Sequence, residues 1–337
     1  MKVWASPPTL KPATVATSDR FTPLPRGPVS TEAASLVEPT VADMASLLAL
    51  SQAAHWNQTP DDWAWMLANG RTRALQQADT LVASTLVLPW PPADSARRVD
   101  ETVSSSLAWI SMVLVLPEHR GHGHATRLLQ ESLAWLAQSP QQHLLPVLDA
   151  TPAGRPVYMK LGFSDAWSFT RWEHRTRLRS VAPKAAKDLL EVGGTEASHP
   201  IRGALCKLDC QAFGANRHKL LDDLIRRAPT LAMALGEPHA IRGFMLARPG
   251  RVATQLGPLV ARDAATAREL VDQALARVDG PVFIDIPDSR RELADYLVTR
   301  GFSAQRPFTR MALGRNTRSL DRECSATVWA VAGPELG

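Results

Sequence analysis

Two stretches of this chain repeat one another, and that repetition constrains its fold more than any single motif. LDATPAGRPVYMKLGF (148–163) is echoed by IDIPDSRRELADYLVTRGF (284–302). Phe163 and Phe302, which close the two stretches, are each followed eight residues later by an arginine, Arg171 in FTRW and Arg310 in FTRM. Upstream, PEHRGHGHATRLL from Pro117 aligns with PLVARDAATAREL from Pro258, bringing Arg127 onto Arg268 and Leu129 onto Leu270. Self-similarity over a loop, a helix, a strand and a closing hairpin predicts two copies of one structural plan. The copies differ where Arg120, Gly121 and Gly123 face Ala261, Arg262 and Ala264. On this alignment the second copy keeps the frame and loses the chemistry of the loop.

The plan itself reads from hydrophobic periodicity. Met44, Leu47 and Leu48 share one face of a helix around Asp43. The next helix has Thr59 as N-cap, Pro60 at its first position, Asp62 at its third and Gly70 as its stop. TLVASTLVLPW (80–90) alternates in part, and LAWISMVLVL (107–116) is nearly all apolar, as expected of a strand buried on both faces. Ala125, Leu128, Leu129, Leu133 and Leu136 form one apolar helical stripe. HLLPVLDA (143–150) reads as a short strand, followed by a Pro/Gly turn, a brief helix ending at Gly162 and a last strand near 165–173.

This succession predicts an α/β domain over 33–178, a linker with a helical piece over 179–200, a second domain over 201–320 and a tail over 321–337. Residues 1–32 read as a flexible arm, with six prolines and seven serines or threonines in the first 30.

Composition removes several classes of function. A chain of 337 residues, 45% hydrophobic, has length for two domains and ample core. No apolar run approaches the ~20 residues of a membrane span. The opening residues lack a charged-then-apolar leader, so a cytoplasmic protein without membrane partners is expected. Cys206, Cys210 and Cys324 lack zinc-site spacing and read as free thiols of a reducing compartment. The net charge of +5 is mild, and the densest basic stretch, RWEHRTRLRS (171–180), reads as a solvated strand end or linker. No nucleic-acid partner is expected. A basic surface also suits an anionic, phosphorylated cofactor.

PEHRGHGHATRLL (117–129) poses the functional question. Its histidines suggest a metal site and its glycines a phosphate loop. No carboxylate cluster accompanies His119, His122 and His124, and alternate loop residues point apart, so no metal is expected. A strand turning through glycines into a helix presents backbone N–H groups at the positive end of a helix dipole, which suits an anion. The dinucleotide GxGxxG would need a third glycine where Thr126 and Arg127 stand, and the P-loop Gly-Lys-Ser/Thr is missing.

The loop instead resembles that of the GNAT superfamily of N-acetyltransferases, Arg/Gln-x-x-Gly-x-Gly/Ala, here Arg120-Gly121-His122-Gly123-His124-Ala125. MVLV (112–115) stands where that family's splayed strand lies, and DATPAGRPVYMKLGF (149–163) resembles its closing Tyr-x-x-Leu-Gly-Phe segment. LDCQAFGANRHKLLDDLI (208–225), IRGFMLARPG (241–250), QLGPLVARDAATA (255–267) and PVFIDIP (281–287) resemble the second domain of tandem-repeat acetyltransferases, extending the likeness over about 33–314.

The resemblance implies two GNAT-like domains with a mixed sheet and acetyl-CoA as co-substrate. Amides from Arg120 to Thr126 would cradle its pyrophosphate. Met112, Val113, Leu114 and Val115 would pair with its pantetheine arm, with Gly154 and Arg155 nearby, and the amide of Val113 would polarise the acetyl carbonyl. Tyr158 would protonate the leaving thiolate, and a phenol of reference pKa ~10 carries that proton at neutral pH.

Each role has a plainer alternative. Tyr158 also suits a buried anchor of its helix. Asp149 and Glu101 are candidate bases, and Asp149 equally suits a turn cap. Trp56 and Trp63 are candidate acceptor-site residues or core. Asp209, Asn216 and Arg217 suit either an acceptor contact or a helix cap and surface charges. The expected activity is acetyl transfer to the primary amine of a small molecule, with a non-catalytic acyl-CoA sensor as the alternative. The expected assembly is a monomer or homodimer.

Overall fold

The computed structural model describes residues 33–92, 106–138, 143–175, 186–194, 199–314 and 326–337. The proposed arm 1–32, Glu101 and Cys324 lie outside them. The first copy runs β1 (Ser35–Val37), α1 (Met44–Ala53), α2 (Pro60–Asn69), β2 (Arg71–Gln77), β3 (Thr80–Trp90), β4 (Leu107–Val115), α3 (His124–Gln138), β5 (Leu145–Ala150), α4 (Arg155–Lys160) and β6 (Phe163–His174). The second repeats it as β7 (Leu189–Glu191), α5 (His199–Phe213), α6 (His218–Arg227), β8 (Met233–Glu237), β9 (Ala240–Arg248), β10 (Thr254–Ala261), α7 (Ala264–Leu275), β11 (Val282–Pro287), α8 (Arg291–Thr299) and β12 (Ser303–Leu313). A last strand, β13 (Val328–Ala330), follows. No helix of the described residues is long and apolar enough to cross a membrane.

Local signals act as expected at α2. The Thr59 hydroxyl accepts from the Asp62 amide at 3.3 Å, and the Asp62 carboxylate accepts from the Thr59 amide at 2.8 Å, closing a capping box. One expectation fails. The helical piece read in the linker is in its described part the edge strand β7, paired antiparallel with β8 from Leu189↔Leu235 to Glu191↔Met233. Tertiary pairing overrides the weak helical propensity of KDLLEV, and Gly193 leaves no room for a side chain, since a Cβ there would lie 2.3 Å from the Pro229 carbonyl oxygen.

Both copies share one mixed sheet in the order β1-β2-β3-β4-β5-β12-β6-β11-β10-β9-β8-β7. The centre of that order is exchanged. β12, from the second copy, pairs with β5 of the first, and β6, from the first copy, pairs with β11 of the second. β6 and β12 also pair with each other. Residues Ala34–Gly337 accordingly form one compact unit, and the boundaries near 178 and 201 separate copies of sequence without dividing the sheet. Large apolar side chains fill both faces. Trp63, Trp109 and Leu47 belong to one cluster and Phe169 and Phe308 to another, where the two rings stack at 5.0 Å beside the exchanged strands.

Two parallel pairings, β4 with β5 and β10 with β11, each cover only three residues: Leu107–Trp109 with Leu145–Val147, and Thr254–Leu256 with Val282–Ile284. Beyond these the strands part. In the second copy the gap is filled by the chain itself. β13 pairs with β10 at Leu259↔Ala330 and Val260↔Val328, and the Val331 amide donates to the Asp285 carbonyl oxygen on β11. Gly257 admits this segment, because a Cβ there would lie 2.1 Å from the Val331 carbonyl oxygen.

Candidate functional site

In the first copy the gap between β4 and β5 is open, and its geometry starts with a bulge. Ser84 faces Leu114 while Leu86 faces Ser111, so β4 carries one residue more than β3 at this point. Met112 takes a φ of +50° there, and its carbonyl oxygen accepts a hydrogen bond from the Ser84 hydroxyl at 2.9 Å. A bulge re-aims a strand, and a positive φ at a non-glycine residue costs about 1–3 kcal/mol and clusters at functional sites. A cavity of about 720 Å3 opens beside it, walled by Ile110–Val115, Arg120, Ala125, Asp149, Thr151–Gly154, Val157 and Tyr158. Its other wall comprises Ala53, Ala54, His55, Trp56, Arg306 and Pro334.

The loop ahead of α3 carries Gly121 at φ +81° and Gly123 at φ +78°. A Cβ at either position would meet no atom within 4 Å, so glycine is needed for the backbone conformation, and the surroundings stay open. Arg120 folds its Nε onto the Val115 carbonyl oxygen at 3.2 Å, tying the loop to the end of β4. Gly121, His122, Gly123, His124 and Thr126 lie outside the walling residues, on the rim that leads into α3. The rings of His119 and His122 stand 6.3 and 6.1 Å from that of His124. Partial burial and the neighbouring His119, His122 and Arg127 hold the His124 imidazole below its ordinary pKa. Among the described residues no group of three or more His, Cys, Asp or Glu is arranged to hold a metal ion.

Tyr158 enters the cavity from α4, buried beside Phe163 at 6.2 Å. Gly154 lies under its ring, where a Cβ would be 3.0 Å from the ring carbon Cε2. Burial pushes the phenol well above its ordinary pKa, so the hydroxyl keeps its proton at neutral pH.

Several predicted site residues are elsewhere. Trp63 is fully buried in the core, its indole N–H donating to the Ser51 hydroxyl at 2.8 Å, and only Trp56 reaches the cavity. Arg155 turns away to Asp165, with Nε 3.0 Å from its Oδ1. Asp149 reaches the wall, but both its carboxylate oxygens accept from Arg310, each at 2.9 Å. A base in that position would first have to leave a buried ion pair with Arg310. Burial raises its pKa, and the Arg310 guanidinium opposes that rise.

Asp209 and Arg217 are buried rather than surface charges, and neither is among the residues that line the cavity. They form a buried two-point pair at 2.9 Å, and Arg217 also donates to the Gly337 carbonyl oxygen. Asn216 accepts from the His218 amide at 3.0 Å, at the start of α6.

The second copy lacks the loop outright. Pro117 follows β4, whereas Pro258 lies inside β10, so the alignment of the two copies holds through the helix and fails before it. Only Arg262 and Asp263 separate β10 from α7, and the Asp263 carboxylate caps that helix, accepting from the Thr266 amide at 2.8 Å. A carboxylate thus stands where the first copy leaves its helix terminus open.

Sequence reasoning missed His55, Arg306 and Pro334. His55 has a φ of +56°, which no sequence pattern announces. Arg306 had a signal, for it precedes Arg310 by four residues, where the repeat places Trp167 four before Arg171.

Comparison with known proteins agrees with this geometry. Residues 45–163 match the model of the Acetyltransferase (GNAT) family, and residues 205–324 match that of an Acetyltransferase (GNAT) domain. The chain is 28% identical over 196 residues to the uncharacterized N-acetyltransferase YitH of Bacillus subtilis (strain 168), an alignment covering 58% of this chain and 66%, just under two thirds, of that protein. Among solved structures, a putative acetyltransferase from Pyrococcus horikoshii superposes with a TM-score of 0.68 at 18% identity, over 92% of this chain and 98% of that one. A tandem GNAT protein from the clavulanic acid biosynthesis pathway gives 0.55 at 14% identity, over 84% and 99%. With two matched domains and one repeated architecture, this chain belongs to the GNAT acetyltransferase family and carries two GNAT domains in tandem.

Proposed function

We propose that this protein transfers the acetyl group of acetyl-CoA to the primary amine of a small molecule, and that the first copy does the chemistry. The observation that carries the reading is one cavity lined by the bulged edge of β4 and the buried hydroxyl-bearing ring of Tyr158, with the glycine loop that leads into α3 on its rim. The residues fit acetyl-CoA as donor substrate. The loop glycines and the start of α3 offer N–H groups to a pyrophosphate, with open space where side chains would obstruct it. Residues 112–115 offer a strand edge to an amide-bearing arm.

In this reading the amine nitrogen attacks the thioester carbonyl carbon, and the Val113 amide steadies the oxygen as it gains charge. The C–S bond breaks, and the sulfur takes the Tyr158 proton. The attacking nitrogen loses its proton to water, and the phenolate is reprotonated from solvent. No covalent enzyme intermediate forms, so no nucleophilic cysteine is required.

Release of free CoA, measured with acetyl-CoA and a panel of amines, tests the reading. Turnover is expected with at least one amine, and tight acetyl-CoA binding without turnover across the panel would establish the sensor instead. Tyr158→Phe is expected to lower kcat about 100-fold with the KM for acetyl-CoA unchanged. An unchanged kcat removes the tyrosine from the chemistry. Because burial raises the phenol, kcat should show no descending limb below about pH 10. A limb near pH 8 that vanishes in Tyr158→Phe would contradict that protonation state.

A further inference from the structure

The cavity wall carries a cation, Arg306, that no described residue neutralises through an ion pair. Of the arginines of the exchanged strands, Arg310 is paired with Asp149 and Arg171 with Asp285, each through two hydrogen bonds of 2.7–2.9 Å. Arg306 lies on the same β12, directly opposite Arg171 in register, and lines the cavity. It is half-buried, and among the described residues it has neither an ion-pair nor a hydrogen-bond partner. The charges around it are Arg171, which disfavours its cationic form, and Asp285, which favours it but is committed to Arg171. Among the described residues the only carboxylate walling the cavity is Asp149, whose two oxygens are both committed to Arg310. Trp56, Ala53, Ala54 and Pro334 line the same cavity with largely apolar surface.

Resting on the acetyltransferase reading above, we propose that the acceptor is an amine that also carries a carboxylate, and that Arg306 binds that carboxylate. A guanidinium is a planar fork of donors that matches a carboxylate at two points, and a half-buried one without a partner is the strongest specificity element available here. The assignment also explains what the second copy contributes. Its strand β12, inserted beside β5, delivers Arg306 to the first copy's site, where the first copy's own repeat position holds Trp167. Arg306 is a specificity-determining residue in this scheme and takes no part in the acetyl transfer itself.

The test is equilibrium binding to the full chain in the presence of CoA, followed by CoA release with acetyl-CoA. The probes are amino acids, the corresponding amino acid amides, and aminoethyl phosphate. At least one amino acid should bind and turn over about 10–100-fold better than its amide. Arg306→Gln should abolish that preference while leaving acetyl-CoA affinity unchanged, and Arg306→Lys should restore part of it. Equal performance of acids and amides, a preference that survives Arg306→Gln, or tighter use of aminoethyl phosphate than of any amino acid would each overturn the carboxylate assignment. So would a loss of acetyl-CoA affinity in Arg306→Gln, which would place the guanidinium on the donor. Turnover of neutral amines alone overturns this proposal and leaves N-acetyl transfer standing. Selective binding of an amino acid without CoA release supports the Arg306 site and overturns N-acetyl transfer.

Discussion

Asp149 and Asp285 hold the same position in the two copies, and each is gripped by the closing-strand arginine of the other copy. Aromatic faces complete both nests, with Arg310 4.5 Å from Trp109 and 4.4 Å from Trp167, and Arg171 5.1 Å from Phe283. Buried pairs of this kind are costly to break and cheap to replace whole. Asp149→Asn should therefore lower stability by about 3–5 kcal/mol, measured by denaturant unfolding, and Asp149→Leu with Arg310→Met should recover most of it. A base would behave differently, with Asp149→Asn keeping the stability and losing only turnover. The repeat made both aspartates and both arginines visible in the sequence. It did not show that they pair across copies, because a spacing of eight residues from Phe163 or Phe302 says nothing about which strand lies alongside.

At the level of the element, the glycine loop of the first copy is what the second copy lacks, whereas the strand bulge recurs in β10, where Leu256 faces Ala247 and Leu259 faces Met245. Gly123→Ala forces an L-residue into the left-handed region at about 1–2 kcal/mol. Carried into the bound loop, that corresponds to an acetyl-CoA KM raised about 5- to 30-fold. Gly203→Ala is the matched control. That glycine lies within α5 with open space around it, so alanine should raise stability by about 0.5–1 kcal/mol and leave KM unchanged. Equal KM effects from both would detach the loop from the donor.

Here the sequence was most readable, since Thr59, Pro60 and Gly70 mark α2 and the leucine stripe marks α3 within a residue of its observed start. It was least readable at β7 and at Met112. The short edge strand is decided by its neighbour β8. The bulge is decided by a one-residue slip against β3, and nothing in MVLV distinguishes it from a regular strand.

For the whole molecule, the two gaps of the sheet have opposite fates. One is a cavity, and the other is closed by 328–337, which continues to Pro334 in the first copy's cavity wall and to Gly337 at Arg217. Calorimetric titration should accordingly give one acetyl-CoA per chain, and two would mean that β13 leaves its gap. The likeness of the copies could be read from LDATPAGRPVYMKLGF and its echo, but the exchange could not, because both copies have a closing strand of the same character and only the folded sheet decides which partner each takes.

That exchange has a genetic consequence. A gene trimmed back to either copy would encode a sheet missing its neighbour's strand, with one buried aspartate and one buried arginine separated from their counterions. Neither truncation should yield a soluble product alone, while the two halves made together in one cell should find each other and restore the protein. The duplication is in that sense irreversible: once the copies traded strands, losing one stopped being a deletion and became the removal of half a fold.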